Sequence, residues 1–194
     1  MTTHFLPPSG GYRRLISYQK AEAVYDLTVY FCTNYLKRGD RTIDQMVQAA
    51  RSGKQNIAEG SAASGTSKET EIKLMNVAKA SLEELLLDYE DYLRTRHHLQ
   101  WEARSIEVTA MRKLGKEHND GAYYIQLAQT RPAEIIANMA ISLANQATYL
   151  LRRQINALGV AFVKTGGFRE RMTRLRIEER KKEGTGRSQG NLER

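Results

Sequence analysis

"TSKETEIKLMNVAKASLEELLLDYEDYLRTR", residues 66–96, is the segment from which the fold class follows. Ile72, Met75, Leu82, Leu85, Leu86, Tyr89 and Leu93 return every three or four positions or a multiple of that spacing. Side chains at that period share one face of an α-helix, whereas a half-buried strand would alternate at every second residue. Thr66 followed by Glu69 has the form of a capping box, in which hydroxyl and carboxylate satisfy free amides at a helix start. The spacing predicts a helix over 67–96.

Working outward, no proline interrupts the chain between Pro8 and Pro132, so long helices are permitted. Ile43, Met46, Val47, Ala50 and Ile57 predict a helix over 42–60, with Gly53 as a weak point and Gly60 as its stop. Leu15, Tyr18, Val24, Val29, Cys32 and Leu36 predict a first helix over 12–38, preceded by an N-terminal arm over 1–11. Arg131-Pro132 marks another start, and Ile135, Ile136, Met139, Leu143, Leu151, Ile155 and Leu158 predict a helix over 132–158. The mixed stretch 97–131, with the single tryptophan Trp101, predicts one short helix and a loop. A basic helix is expected over 166–182, and the tail 183–194, with no apolar face to bury, is expected to be disordered. These elements define an all-α chain: an up-down four-helix bundle over 12–165 with an inserted short helix and loop and a C-terminal helical extension. In such a bundle the start of the first helix, the end of the second, the start of the third and the end of the fourth share one pole.

With 194 residues and 41% hydrophobic content, one domain suffices. No run approaches the roughly 18 apolar residues of a membrane span, and the start "MTTHFLPPSGGYRR" has no signal-peptide core, so a cytoplasmic location without membrane association is expected. Cys32 lacks a partner cysteine and stands in an apolar pattern, as a packing residue does.

Enzyme classes are disfavoured one by one. Gly60-x4-Gly65 resembles a phosphate loop, but Thr66 stands where the Walker lysine is needed and a helix, not a strand, precedes it. None of His4, His97, His98 and His118 has a carboxylate three residues before it, so the di-metal pattern of carboxylate bundles is missing. Glu84, Asp88 and Asp91 read as a solvated acidic face paired with lysines. Ser52, Ser61, Ser64 and Ser67 have no histidine in local reach and read as caps and turns. No catalytic residue, metal or cofactor is assigned.

What remains is charge. Thirty Lys plus Arg against 22 Asp plus Glu give a net charge of +8, which favours a polyanionic partner through counterion release. The bundle geometry gathers Arg13, Arg14, Lys20, Arg51, Lys54, Lys68, Arg152 and Arg153 toward one pole as a candidate nucleic-acid-binding surface. Tyr12, Tyr18, Tyr25, Tyr89 and Tyr92 stand at core spacing, leaving no stacking platform, so recognition by charge and shape is expected.

"NIAEG" (Asn56, Ile57, Ala58, Glu59, Gly60), with "YQKA" at 18–21 and "SKETEIKLMNVAKASLEEL" at 67–85, resembles a bacterial four-helix-bundle family. Its members include proteins encoded within intervening sequences of large-subunit ribosomal RNA genes and the accessory variability determinant proteins of diversity-generating retroelements. Residues 137–172 resemble the variant with a C-terminal suffix segment. The resemblance implies a homopentamer with a basic surface that, in the retroelement proteins, binds nucleic acid and associates with a reverse transcriptase. A second apolar set on the first helix, Ile16, Ala23, Leu27, Tyr30, Phe31 and Tyr35, is wide enough to be buried against neighbouring protomers or in a broad core with the C-terminal segment. The expected function is a non-enzymatic accessory protein that binds RNA or an RNA/DNA hybrid; the alternative is a scaffold for an acidic partner protein.

Overall fold

A computed structural model describes residues 11–189, and among them the regular elements are all helical. After a 3-10 turn at Tyr12–Arg14 come α1 (Ile16–Tyr35), α2 (Arg41–Ala63), α3 (Lys68–Thr95), α4 (Ile106–Glu117), α5 (Gly121–Ala128), α6 (Ala133–Thr165) and α7 (Phe168–Gln189). The bundle is α1, α2, α3 and α6, each packed on the next, with α6 closing back on α1. Side-chain bonds fix the antiparallel order. Ser17 at the start of α1 donates to Gln154 late in α6 at 2.8 Å, and Tyr35 at the other end of α1 donates to the Arg131 carbonyl at 3.2 Å. The Tyr89 hydroxyl donates to Thr28 at 3.1 Å, tying α3 to α1 through the core.

Each long helix has a stated start. Asp40 accepts from the Thr42 amide at α2, and Ser67 accepts from the Thr70 amide at α3. Ser67 is thus the cap expected of Thr66, whose hydroxyl donates back to the Ala63 carbonyl at 3.2 Å and closes the preceding turn. Pro132 is the N-cap of α6. His97, with φ +57°, ends α3 in the left-handed conformation, and the His98 amide reaches back to the Leu93 carbonyl at 2.9 Å.

The two glycines of α2 have a different role from the one their sequence positions suggest. Gly60 does not stop the helix, which continues to Ala63, and Gly53 lies within it without a break. Both are buried on the face toward α3, seven residues apart and in phase with fully buried Met46. A Cβ at Gly53 would stand 2.7 Å from Leu82, and one at Gly60 would stand 3.3 Å from the Glu71 carbonyl oxygen. Glycine in a helix interior costs about 1 kcal/mol against alanine. Here it brings two backbones close enough for Leu82 and Met75 to fill the space between them.

Four boundaries differ from expectation. The first helix is broken at Leu15, whose extended ψ of 122° separates the 3-10 turn from α1. The stretch 97–131 forms two helices rather than one, because Ser105 and Asp120 each cap a start, accepting from the Val108 and Tyr123 amides. The fourth helix runs past 158 to Thr165, where Gly166 takes φ +70°. The basic helix reaches Gln189, so 183–189 are helical rather than disordered. The arm over 1–10 and residues 190–194 lie outside the described residues.

The inserted pair folds back along the bundle, α5 against α1 and α4 against α6. It accounts for the apolar width of the first helix. Ala23, Leu27 and Phe31 are fully buried, Tyr30 and Tyr35 pack half-buried against the core, and Ile16 alone of that set is exposed. The broad core is therefore built with α5 and α6. No helix among the described residues is long and apolar enough to cross a membrane.

Candidate functional site

The bundle sorts the eight candidate basic residues into three groups. Arg13 and Arg14 are exposed in the 3-10 turn at the foot of α1, with the Arg13 guanidinium over the Tyr12 ring at 5.1 Å. Arg152 and Arg153 are exposed on α6 immediately before Gln154, whose bond to Ser17 sets them at the same foot. These four meet as the antiparallel order requires. Lys68 also lies at this end, since residues Thr66–Glu69 and Phe162 line a common cleft. Its charge is matched by Glu71, whose carboxylate accepts from Nζ at 2.7 Å.

Arg51 and Lys54 stand higher. The Lys54 ammonium lies 4.2 Å from the centre of the Tyr25 ring, nine residues up α1 from Ile16, or about 14 Å along the axis. Lys54 is half-buried there and lowers the carboxyl of Asp26, which burial and Glu22 push above the ordinary carboxylate range. Arg51 is exposed. The pole expected from eight residues is thus a foot of four arginines with a separate pair midway along α2.

Lys20 belongs to neither, which corrects its assignment to the phosphate-binding surface. It is 1% exposed, and its ammonium donates to the His118 carbonyl at 2.7 Å and to the Tyr124 hydroxyl at 3.4 Å. Helical periodicity puts residue 20 on the side of α1 that α5 covers, a neighbour invisible when 97–131 reads as mostly loop. Burial lowers its pKa to about 8, with Asp120 opposing.

The family-like stretch is explained by packing. Ile57 and Gly60 are buried against the core, Asn56 donates to the Ser52 carbonyl at 2.9 Å, Ala58 is half-buried, and Glu59 is exposed. Cys32 is buried, and burial pushes its thiol up to about 12, away from nucleophile chemistry. On α3, Asp91 pairs with Arg94 at 2.7 Å rather than with a lysine, and the half-buried Asp88 carboxyl is raised by burial beside Glu84 and Asp91. Among the described residues no three His, Cys, Asp or Glu side chains come together as a metal cluster.

A second feature escaped the sequence reading: a cavity of about 900 Å³ between α1, α4, α6 and the segment around Trp101. Lys20 reaches its wall from α1, and Arg112 and Lys116 stand on it from α4. The signal for it was present. Asn138, Ser142, Asn145 and Tyr149 recur at helical spacing on α6, marking a polar stripe along its cavity side.

These features define the class as an all-α helical bundle with a basic foot and a largely apolar cavity that carries cationic side chains on its wall. No family model, curated protein or solved structure matches the chain.

Proposed function

We infer that the chain is a non-enzymatic nucleic-acid-binding bundle that holds RNA, or an RNA/DNA hybrid, by its phosphates. The observation that carries this reading is the foot of the bundle. Arg13, Arg14, Arg152 and Arg153 are all exposed there, and none forms an ion pair within 4.0 Å among the described residues. Four unmatched guanidiniums at one level of the bundle, in a chain of net charge +8, suit a polyanion backbone better than a small neutral partner. The five tyrosines at core spacing offer no stacking surface: Tyr18, Tyr89 and Tyr92 are buried, and Tyr12 and Tyr25 pack against the core. Recognition by charge and shape follows. The resemblance at Asn56 to Gly60 extends the reading to a homopentamer that assists a reverse transcriptase, and light scattering at working concentration tests it, a monomeric mass removing the assembly.

The direct test is binding to two RNAs of unrelated sequence at rising salt. Affinity is expected to fall with log salt in proportion to the phosphates contacted, and equally for both RNAs. Converting Arg13, Arg14, Arg152 and Arg153 together to glutamate is expected to weaken binding at least tenfold with an unchanged melting temperature. Unchanged affinity would remove the foot as the interface. Binding to an acidic protein but to neither RNA would replace nucleic acid by a protein partner.

A further inference from the structure

The cavity between α1, α4 and α6 has the size of a small-molecule site, for which roughly 300–1,000 Å³ is usual. Its chemistry is one-sided. Lys20, Arg112 and Lys116 line it, and no carboxylate does. Ile16, Val108, Ile141 and Leu150 supply apolar wall, and Trp101 and Tyr149 supply ring faces or edges. Most internal polar groups here are satisfied. Asn138 accepts from the Trp101 amide and donates to the Leu99 and Glu134 carbonyls, and Gln146 donates to the Met111 carbonyl. Two are not bonded in that way. The Asn119 side-chain oxygen is buried and has no hydrogen-bond partner, and the buried Lys20 ammonium has two partners for its three hydrogens.

From this arrangement we propose that the cavity binds a small aromatic acid. The acid group meets the cationic wall and the ring lies on the apolar wall. Lys20 is held by its two acceptors, so the charge is set in place before a ligand arrives, and its burial strengthens the attraction to an anion. This proposal is independent of the RNA reading, because none of the four foot arginines lines the cavity.

The probe is 8-anilinonaphthalene-1-sulfonate, a flat aromatic anion with one N–H donor, set against N-phenyl-1-naphthylamine, the same rings without the sulfonate. Trp101, the chain's only tryptophan, stands in the wall and reports occupancy by energy transfer to the probe. One sulfonate probe per chain is expected, with transfer from Trp101 and at least tenfold preference over the neutral amine. Lys116→Glu at the exposed rim and Asn145→Phe, which fills the cavity from an exposed position, are each expected to weaken the sulfonate tenfold or more without changing the melting temperature. Equal binding of both probes, several sulfonates per chain without transfer, or indifference to Asn145→Phe would overturn the proposal. So would a doubled mass with the cavity closed to both probes, which would make it a contact between copies. Displacement by anthranilate assigns a carboxylate, displacement by adenosine monophosphate assigns a phosphate, and displacement by neither overturns the aromatic-acid assignment.

Discussion

The two flanks of this bundle are built on opposite principles. Along α2 and α3 the helices close on glycines, Gly53 and Gly60, and the space between them is filled to the backbone. Along α1 and α6 the neighbouring layer is the inserted pair α4 and α5, joined to the bundle through a buried ammonium, carboxamides and a cavity of about 900 Å³. In the first flank glycine meets backbone and core side chains; in the second, Gly115 and Gly121 meet the polar side chains of Gln146 and Asp26. The first is filled along its length, whereas the second keeps a cavity beside its contacts.

The sharpest way to break this contrast is to add volume to the closed flank. Gly53→Leu would put its Cβ within 2.7 Å of Leu82, itself fully buried and without room to retreat. We expect a loss of about 3 kcal/mol in urea unfolding, the upper range of overpacking. A loss below about 1 kcal/mol would mean that the α2–α3 seam is looser than its geometry.

The open flank is tested by pH. The Lys20 ammonium titrates at about 8 in the folded chain against an ordinary 10.5, because it is buried. Below the lower value both folded and unfolded chains are protonated there, and the penalty of a buried charge is felt in full. As pH rises from about 8 to 9 the folded state sheds the proton first, so stability increases, by about 1 kcal/mol. From about 9 the rise is offset by Cys32, whose buried thiol is raised to about 12 and so ionises first in the unfolded chain, and above about 10 the sign reverses as Tyr18 and Tyr124, each raised to about 12, do the same. Lys20→Met should flatten the rise while keeping the fall, as followed by urea midpoints across the range.

The smallest effect probes the turn that closes the seam. Ser67→Ala removes the cap of α3 and should cost about 1 kcal/mol, whereas Thr66→Ala, which removes only a bond to the Ala63 carbonyl, should cost a few tenths. Equal losses would restore the capping role to Thr66.

How much of this was legible in the sequence depends on the range of the signal. Period alone located α1, α2, α3 and α6, because an apolar face repeating over 20 residues or more has few competing readings. The same rule misjudged Gly53 and Gly60: propensity reads a helical glycine as a defect, and only the facing backbone of α3 shows it as a contact. Arg13, Arg14, Arg152 and Arg153 were grouped correctly by antiparallel order, whereas Arg51 and Lys54 were assigned to the end of a helix that in fact runs three residues beyond Gly60. Lys20 was misplaced because its partners, His118 and Tyr124, are about a hundred residues away and sit on helices too short to announce themselves.

The insertion also orders the assembly of the chain in time. As the polypeptide leaves the ribosome, the α2–α3 seam can close once residue 95 has emerged, since everything it needs is contiguous. The first helix, although made earlier, lacks its α5 cover until residue 128 exists and its Gln154 partner until still later. Its wide apolar face is therefore uncovered until the inserted pair and α6 have been made.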